Sequence, residues 1–311
     1  MRNYQRPIPA GQLPVYDLAL EVLESDKRRV QEELKELIKD NKPKSAVEEK
    51  QWKQRIAQLE VLEGSNDPEV RYNFKNGIVD MSKAYYRYLS QKDFERQRLS
   101  KLMERLLQMK VIPDVVPPFT PSAELVVDFA ADELAEKDSE KAVRPVIPGS
   151  YVRAGLSTSR PELQIKIFDA QPALYSLIIV DPDVPDAANE RYTSLLHLLG
   201  ANLKLSATTS QQDLNKQLDE AVVNYIPPHP AQGSGYHRYT VLLVKQDKEF
   251  IGEVDREGFS VREYVDSVQG VPVAGHMWRA VHDEDSSKVY AALGKKEPVY
   301  GHAKKESRYL L

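Results

Sequence analysis

Cysteine does not occur in this 311-residue sequence. That excludes disulfides, thiolate catalysis and cysteine-based metal sites, and it leaves the redox compartment open. Long apolar runs are missing as well. No segment approaches the roughly 20 apolar residues that a membrane-spanning helix needs, so membrane insertion is not expected. Nor is there a large excess of charge of one sign: 43 Lys and Arg stand against 47 Asp and Glu, for a net charge of −4. That balance argues against bulk nucleic-acid binding. No secretory signal is visible. Arg2 and Arg6 precede the first acid, Asp17, as in a short mitochondrial presequence, but Pro7, Pro9 and Pro14 favour an extended arm.

What is present suffices for a packed protein. The chain is 41% hydrophobic and 29% charged, and its length allows two domains. The charge is uneven. Residues 1–114 hold 22 basic and 19 acidic side chains (+3), and residues 115–311 hold 21 and 28 (−7), which together give −4. Contacts to a phosphate backbone are therefore expected from the front of the chain or from local patches.

The front reads as helical. Val22, Leu23, Val30, Leu34, Leu37 and Ile38 recur near helical spacing over residues 16–39, and Asn41-Lys42-Pro43 stops that helix. Trp52, Ile56, Leu59 and Leu62 form the stripe of a second helix over residues 46–63, with Gly64 as its expected C-terminal cap. Asp67-Pro68 reads as an N-cap with a first-turn proline, opening a short helix that ends near Gly77. A further helical stretch over residues 78–109 is expected to break near Gln91–Asp93. The apolar stripes are narrow and the polar faces large. Such helices either fold back on one another as a hairpin or lie as arms on a larger partner.

Pro113, Pro117, Pro118 and Pro121 then interrupt any helix. Beyond this hinge the texture becomes short apolar runs separated by Pro, Gly and polar turns. Strands are expected over residues 124–129, 163–168, 174–180, 195–205 and 239–245, with helices over 211–223 and 261–267. Residues 132–141 read as a charged insertion. The division is a helical extension over 1–114 and a β domain with a C-terminal tail over 115–311.

Three pieces could carry a site. Asp181-Pro182-Asp183-Val184-Pro185 follows an apolar strand and reads as a rigid turn presenting a carboxylate. His197 lies among leucines, where a histidine is most often a packed core residue. Gly233-Ser234-Gly235-Tyr236-His237-Arg238-Tyr239 enters another strand. A carboxylate and two imidazoles can bind a metal, act as acid and base, or hold an anion, and spacing alone does not choose among these.

The run at Asp181–Pro185 and the run at Gly235–Tyr239 resemble the two signature motifs of phosphatidylethanolamine-binding proteins (PEBP). His197 stands at the family's usual separation, and Leu174–Val180, Arg256–Phe259 and Val271–Gly275 are similar as well. The resemblance covers about residues 115–290. It implies an α+β fold: an N-terminal helical extension followed by a PEBP-like, mainly antiparallel β domain with peripheral helices. It also implies an anion pocket lined by Asp181, Pro185, His197, His237 and Tyr239, where imidazole N–H groups donate to phosphate oxygens. No activated nucleophile is seen beside these residues, so a binding pocket is expected rather than an enzyme, with no cofactor and no metal. The sequence departs from the family pattern in the Pro- and His-bearing loop over residues 225–232. It departs again at Leu195 and Leu196, where members often carry an aromatic residue and a second histidine.

The helical front narrows the resemblance. The stretches 67–83, 86–89 and 108–115 look like the mitochondrial large-ribosomal-subunit branch of the family, especially its fungal form. This implies a structural role in the mitochondrial matrix, with large-subunit rRNA and mitochondrial ribosomal proteins as partners and a place at the central protuberance. Arg71, Lys75, Lys83, Arg87, Arg96, Arg98 and Arg105 are the candidate phosphate contacts. Their plainer reading is a solvated helix face with internal Glu–Lys pairs. The alternative function is a soluble binder of phospholipid head groups or small anions that acts as a regulator.

Overall fold

The computed structural model describes residues 4–40, 45–129 and 145–301, with the backbone alone at Asp40. The expected helix stop at 41–43 and the charged insertion at 132–141 lie outside the described residues. Contacts divide the chain into two compact units. The first runs to Arg96 and includes Phe168–Ala170; the second begins at Gln97.

In the first unit, α1 (Pro14–Asp40) and α2 (Ala46–Ser65) form an antiparallel hairpin. The cross-links run in opposite chain order. Lys27 Nζ reaches Asp67 at 2.6 Å, the Gln31 amide donates to Glu63 Oε1 at 2.8 Å, and the Trp52 indole N–H donates to the Leu37 carbonyl at 3.1 Å. Val30 and Leu59 are buried. The Ser45 hydroxyl caps α2 by accepting from Glu48 N–H. Gly64 is not the cap. It lies inside α2, where an added Cβ would stand 2.6 Å from Tyr85 Cγ, so the missing side chain admits the tyrosine ring. α3 (Pro68–Lys75) opens as its sequence predicts, with Asp67 accepting from Glu69 and Val70 N–H, and Gly77 follows it at φ +75°. α4 (Ala84–Asp93) packs on α2, and Val70, Tyr86 and Leu89 close a small core. The stretch 78–83 is not helical. There Asp80 accepts from Ser82 N–H, and Arg87 binds the Met81 and Ser82 carbonyls. The helical break falls at a π turn, Phe94–Arg98, slightly beyond its expected position. Val15, Leu18 and Val22 share one exposed face of α1.

The second unit starts ahead of the proline hinge because α5 (Leu99–Gln108) belongs to it. Leu102 and Leu106 are buried, and Leu106 and Phe119 pack where Gly275 leaves room on a strand. The strands are β1 (Glu124–Asp128), β2 (Glu162–Lys166), β3 (Ala173–Asp186), β4 (Arg191–Leu205), β5 (Tyr236–Gln246) and β6 (Val271–Val281). β1 and β2 pair with each other, and the other four form an antiparallel sheet in the order β4-β3-β5-β6. Tyr175, Leu177 and Ile179 face the β1–β2 pair in a core shared with Leu125, Val127, Leu163, Tyr239, Val241 and Trp278. The alternate residues Ser176, Ile178 and Val180 face the other side. There Ser176 Oγ meets the Tyr264 hydroxyl of α7 (Val261–Ser267) at 2.6 Å. Covering both faces explains why β3 reads as a continuous apolar run rather than an alternation. α6 (Gln211–Asp219), shorter than expected, packs on β4, and α8 (Ser286–Ala292) follows β6.

The Asp-Pro-Asp run is not a turn after the strand. β3 continues through it to Asp186, with a bulge between the Asp181↔Leu195 and Val184↔Thr193 pairs. Proline is tolerated because β3 pairs with β5 only as far as Val180↔Thr240, and Pro182 falls within the bulge.

Candidate functional site

The root of the extended β3–β4 ribbon brings Asp181 against the first turn of β5. Asp181 Oδ2 lies 2.6 Å from His237 Nδ1, and both side chains are 3% exposed. Asp181 Oδ1 accepts from Asp183 N–H at 2.9 Å, so both carboxylate oxygens are engaged. The other ring nitrogen, His237 Nε2, lies 2.8 Å from Ser234 Oγ, which also donates to the Ala231 carbonyl at 2.8 Å. Ser234, His237 and Asp181 thus form a hydroxyl–imidazole–carboxylate sequence that spacing did not reveal. The Ser234 hydroxyl is held by the carbonyl of its own turn, and the residue is not among those lining the cleft described below, so its contact orients the ring.

His197 sits on β4, fully buried. Its Nδ1–H donates to the Ile226 carbonyl at 2.8 Å, leaving Nε2 without a protein partner among the described residues. Burial lowers its pKa to about 4 against the opposing pull of Asp181, so the ring is neutral at pH 7. Tyr239 is completely buried, stacked on Trp278 at 5.7 Å and edge-on to His197 at 5.2 Å. Burial and then the Asp181 charge push its phenol well above the ordinary value. A third histidine, His229, which carries no motif in the sequence, joins the site. Its ring lies 5.6 Å from that of His197, and its carbonyl accepts the Tyr290 hydroxyl at 2.8 Å. Desolvation lowers its pKa, and Lys295 adds to that effect.

A cleft of about 420 Å³ opens here. Asp181, Pro185 and His237 line it, with His229, Glu257, Tyr290, Lys295, Lys296 and Tyr300. His197 and Tyr239 lie behind the lining, as packing for it. No neutral imidazole offers the cleft a spare N–H: His197 and His229 bond backbone carbonyls through Nδ1, and both nitrogens of His237 are engaged. Among the described residues no group of three or more acids and histidines is placed to hold a metal ion.

Arg238, the residue after His237, holds the site's frame. Its guanidinium takes both oxygens of Asp183, at 2.8 and 2.7 Å, and reaches the Met109 and Lys110 carbonyls and Asp114. Its pKa is raised, chiefly by the Asp183 bond.

The seven candidate phosphate contacts are not equivalent. Arg71 Nε is bound to the Ser65 carbonyl, Arg87 to the carbonyls ahead of α4, Arg98 to Glu124 and Arg105 to Gln108. Lys75, Lys83 and Arg96 are exposed.

Fold and cleft together define a β domain with a small acid–histidine cleft at one end of an antiparallel sheet. Residues 137–277 match the profile of the family Phosphatidylethanolamine-binding protein. Over 294 residues the chain is 26% identical to the large ribosomal subunit protein mL38 of Schizosaccharomyces pombe, covering 93% of this chain and 88% of that protein. It is 24% identical to the carboxypeptidase Y inhibitor of Saccharomyces cerevisiae, over 59% of this chain and 87% of the inhibitor. The crystal structure of carboxypeptidase Y inhibitor with its cognate proteinase superimposes with a TM-score of 0.47 at 20% identity, covering 60% of this chain and 98% of that one.

Proposed function

We propose that this protein is a structural constituent of the large subunit of the mitochondrial ribosome, and that it is not an enzyme. The observation that carries this reading is the extent of the mL38 similarity. At 93% of the chain it takes in most of the helical front as well as the β domain, whereas the inhibitor similarity covers 59%. The exposed Val15, Leu18 and Val22 on α1 support it, since an apolar helix face left open in one chain suits burial on a neighbour. In this reading the helical front over residues 1–114 is the assembly module. It rests on ribosomal proteins and, through Lys75, Lys83 and Arg96, on large-subunit rRNA. The β domain projects at the central protuberance, in the mitochondrial matrix.

Sucrose-gradient fractionation of mitochondrial extract tests this. The protein is expected to co-sediment with the large subunit and to stay there in moderate salt. Recovery only in the soluble fractions would overturn the assignment.

The β domain supports a second reading, a retained small-anion site, because a 420 Å³ cleft persists beside Asp181 and His237 and two lysines line it.

A further inference from the structure

α1 outlasts the helix it packs on. Its inward stripe runs back from Val30 through Lys27 to Leu23 and Leu20, at spacings of three and four residues. Lys27 makes the last cross-link, to Asp67 at 2.6 Å. α2 stops at Ser65 and the chain turns into α3, so Leu23 and Leu20 carry the stripe about two turns past that link. Both leucines are only partly buried.

The N-terminal arm crosses this open end. The Tyr4 ring meets Tyr72 of α3 edge-on at 5.5 Å, and the Arg6 guanidinium pairs with Asp17 and lies 5.1 Å from the Tyr16 ring on α1. Between the arm, α1 and the α2–α3 turn lies a cleft of about 370 Å³. Leu20, Leu23 and Leu62 give it an apolar wall, and Leu62 is exposed. Five carboxylates line it, those of Glu24, Asp26, Glu63, Asp67 and Glu69, against two cations, Arg6 and Lys27. Both cations are already paired, with Asp17 and Asp67. Asp26 and Glu63 hold Arg29 and Gln31. Glu24 has only an exposed contact to Arg28 at 3.4 Å, and the Glu69 side chain has no partner among the described residues.

This combination selects its occupant. A phosphate backbone is repelled by the carboxylates. An uncharged segment would cover them without pairing them. An arginine satisfies both parts, with its aliphatic stem along the leucines and its guanidinium fork on the free acids. We propose that the open end of the α1–α2 hairpin is a socket for an arginine carried on a basic segment of a neighbouring protein. The inference rests on the reading of the helical front as the assembly module, and it names the chemistry of one neighbour.

The test uses the full chain assembled in mitochondria. Asn66→p-benzoylphenylalanine places a photo-cross-linker on the rim of the cleft, away from the leucines and the acids. Large subunits isolated on sucrose gradients are irradiated, and the cross-linked partner is identified by mass spectrometry. The expected product is a segment of a ribosomal protein rich in arginine and lysine. Glu24→Gln/Glu69→Gln keeps the shape of the cleft and removes its free charge. This variant is expected to leave the large subunit at a lower salt concentration than the parent, and circular dichroism verifies its helices. A cross-link to rRNA, to an acidic or uncharged protein segment, or to nothing in a particle that retains the protein overturns the proposal while the ribosomal reading stands. A double variant that withstands salt as well as the parent also overturns it. A parent chain found only in the soluble fractions refutes the ribosomal reading and the proposal together. Should the cross-linker at Asn66 block assembly, the salt resistance of the double variant decides alone.

Discussion

His276 offers a measurement of how dry the sheet interior is. It lies on β6, 3% exposed, with Nε2 donating to the Val146 carbonyl at 2.9 Å and Nδ1 without a partner among the described residues. Burial lowers its pKa from 6.5 to about 4. Below pH 6.5 the unfolded chain takes up a proton at this position while the folded chain does not. The stabilisation is therefore complete above pH 6.5 and is lost as the pH falls towards 4. At ~1.4 kcal/mol for each tenfold change in proton affinity, the loss amounts to ~3 kcal/mol. His197 behaves similarly and is removed by comparing two proteins that both contain it. Urea unfolding would be followed by Trp278 fluorescence in a Trp52→Phe background, where Trp278 is the remaining tryptophan. His276→Gln keeps a donor for Val146 and lacks the titration. The stability difference between the parent and His276→Gln should shift by ~3 kcal/mol between pH 7 and pH 4, against the parent at the acid end. A difference that does not change with pH would refute the claim that this ring is folded in neutral form.

Two further substitutions probe the frame. Arg238→Met leaves the largely buried Asp183 carboxylate without its fork and frees the Met109 and Lys110 carbonyls, so urea unfolding should show a loss of about 3–5 kcal/mol. Arg238→Lys should recover little of it, because an ammonium cannot span both Asp183 oxygens. Gly64→Ala should lower the melting transition of the helical unit, followed by circular dichroism, by the equivalent of about 1–3 kcal/mol. Tyr85→Ala in the same chain should remove most of that penalty, since the clash is with the tyrosine ring.

The helical caps were legible because their chemistry is local. Asp67-Pro68 opens α3 as written, whereas the Ser45 cap of α2 is seen in the structure alone. The site's position was legible from the two motifs, since Asp181 and His237 do meet. What escaped depends on partners distant in the chain. Gly64 looks like a helix end until Tyr85 is seen against it. Asp181–Pro185 reads as a turn unless β4 is known to continue beside it, and β6 is not among the strands expected from the sequence, although Val271–Gly275 resembles the family. The helical unit could not be divided from the β domain by composition. The proline hinge is the conspicuous break, yet α5 ahead of it packs on β6, so the second unit begins at Gln97. Lys295 and Lys296 carry no motif, and only the pairing of Val299 with Gln232 brings them to the cleft.

The unequal lengths of the central strands set what can vary in this domain. Up to Val180, β3 is pinned on both edges and buried on both faces; from Asp181 outward it has a partner on one edge only. The connection between Asp186 and Arg191 can lengthen, shorten or change its charges without moving a residue of the interior. The same scaffold is thus free to present different edges to different neighbours while the carboxylate at the base of the tip keeps its place.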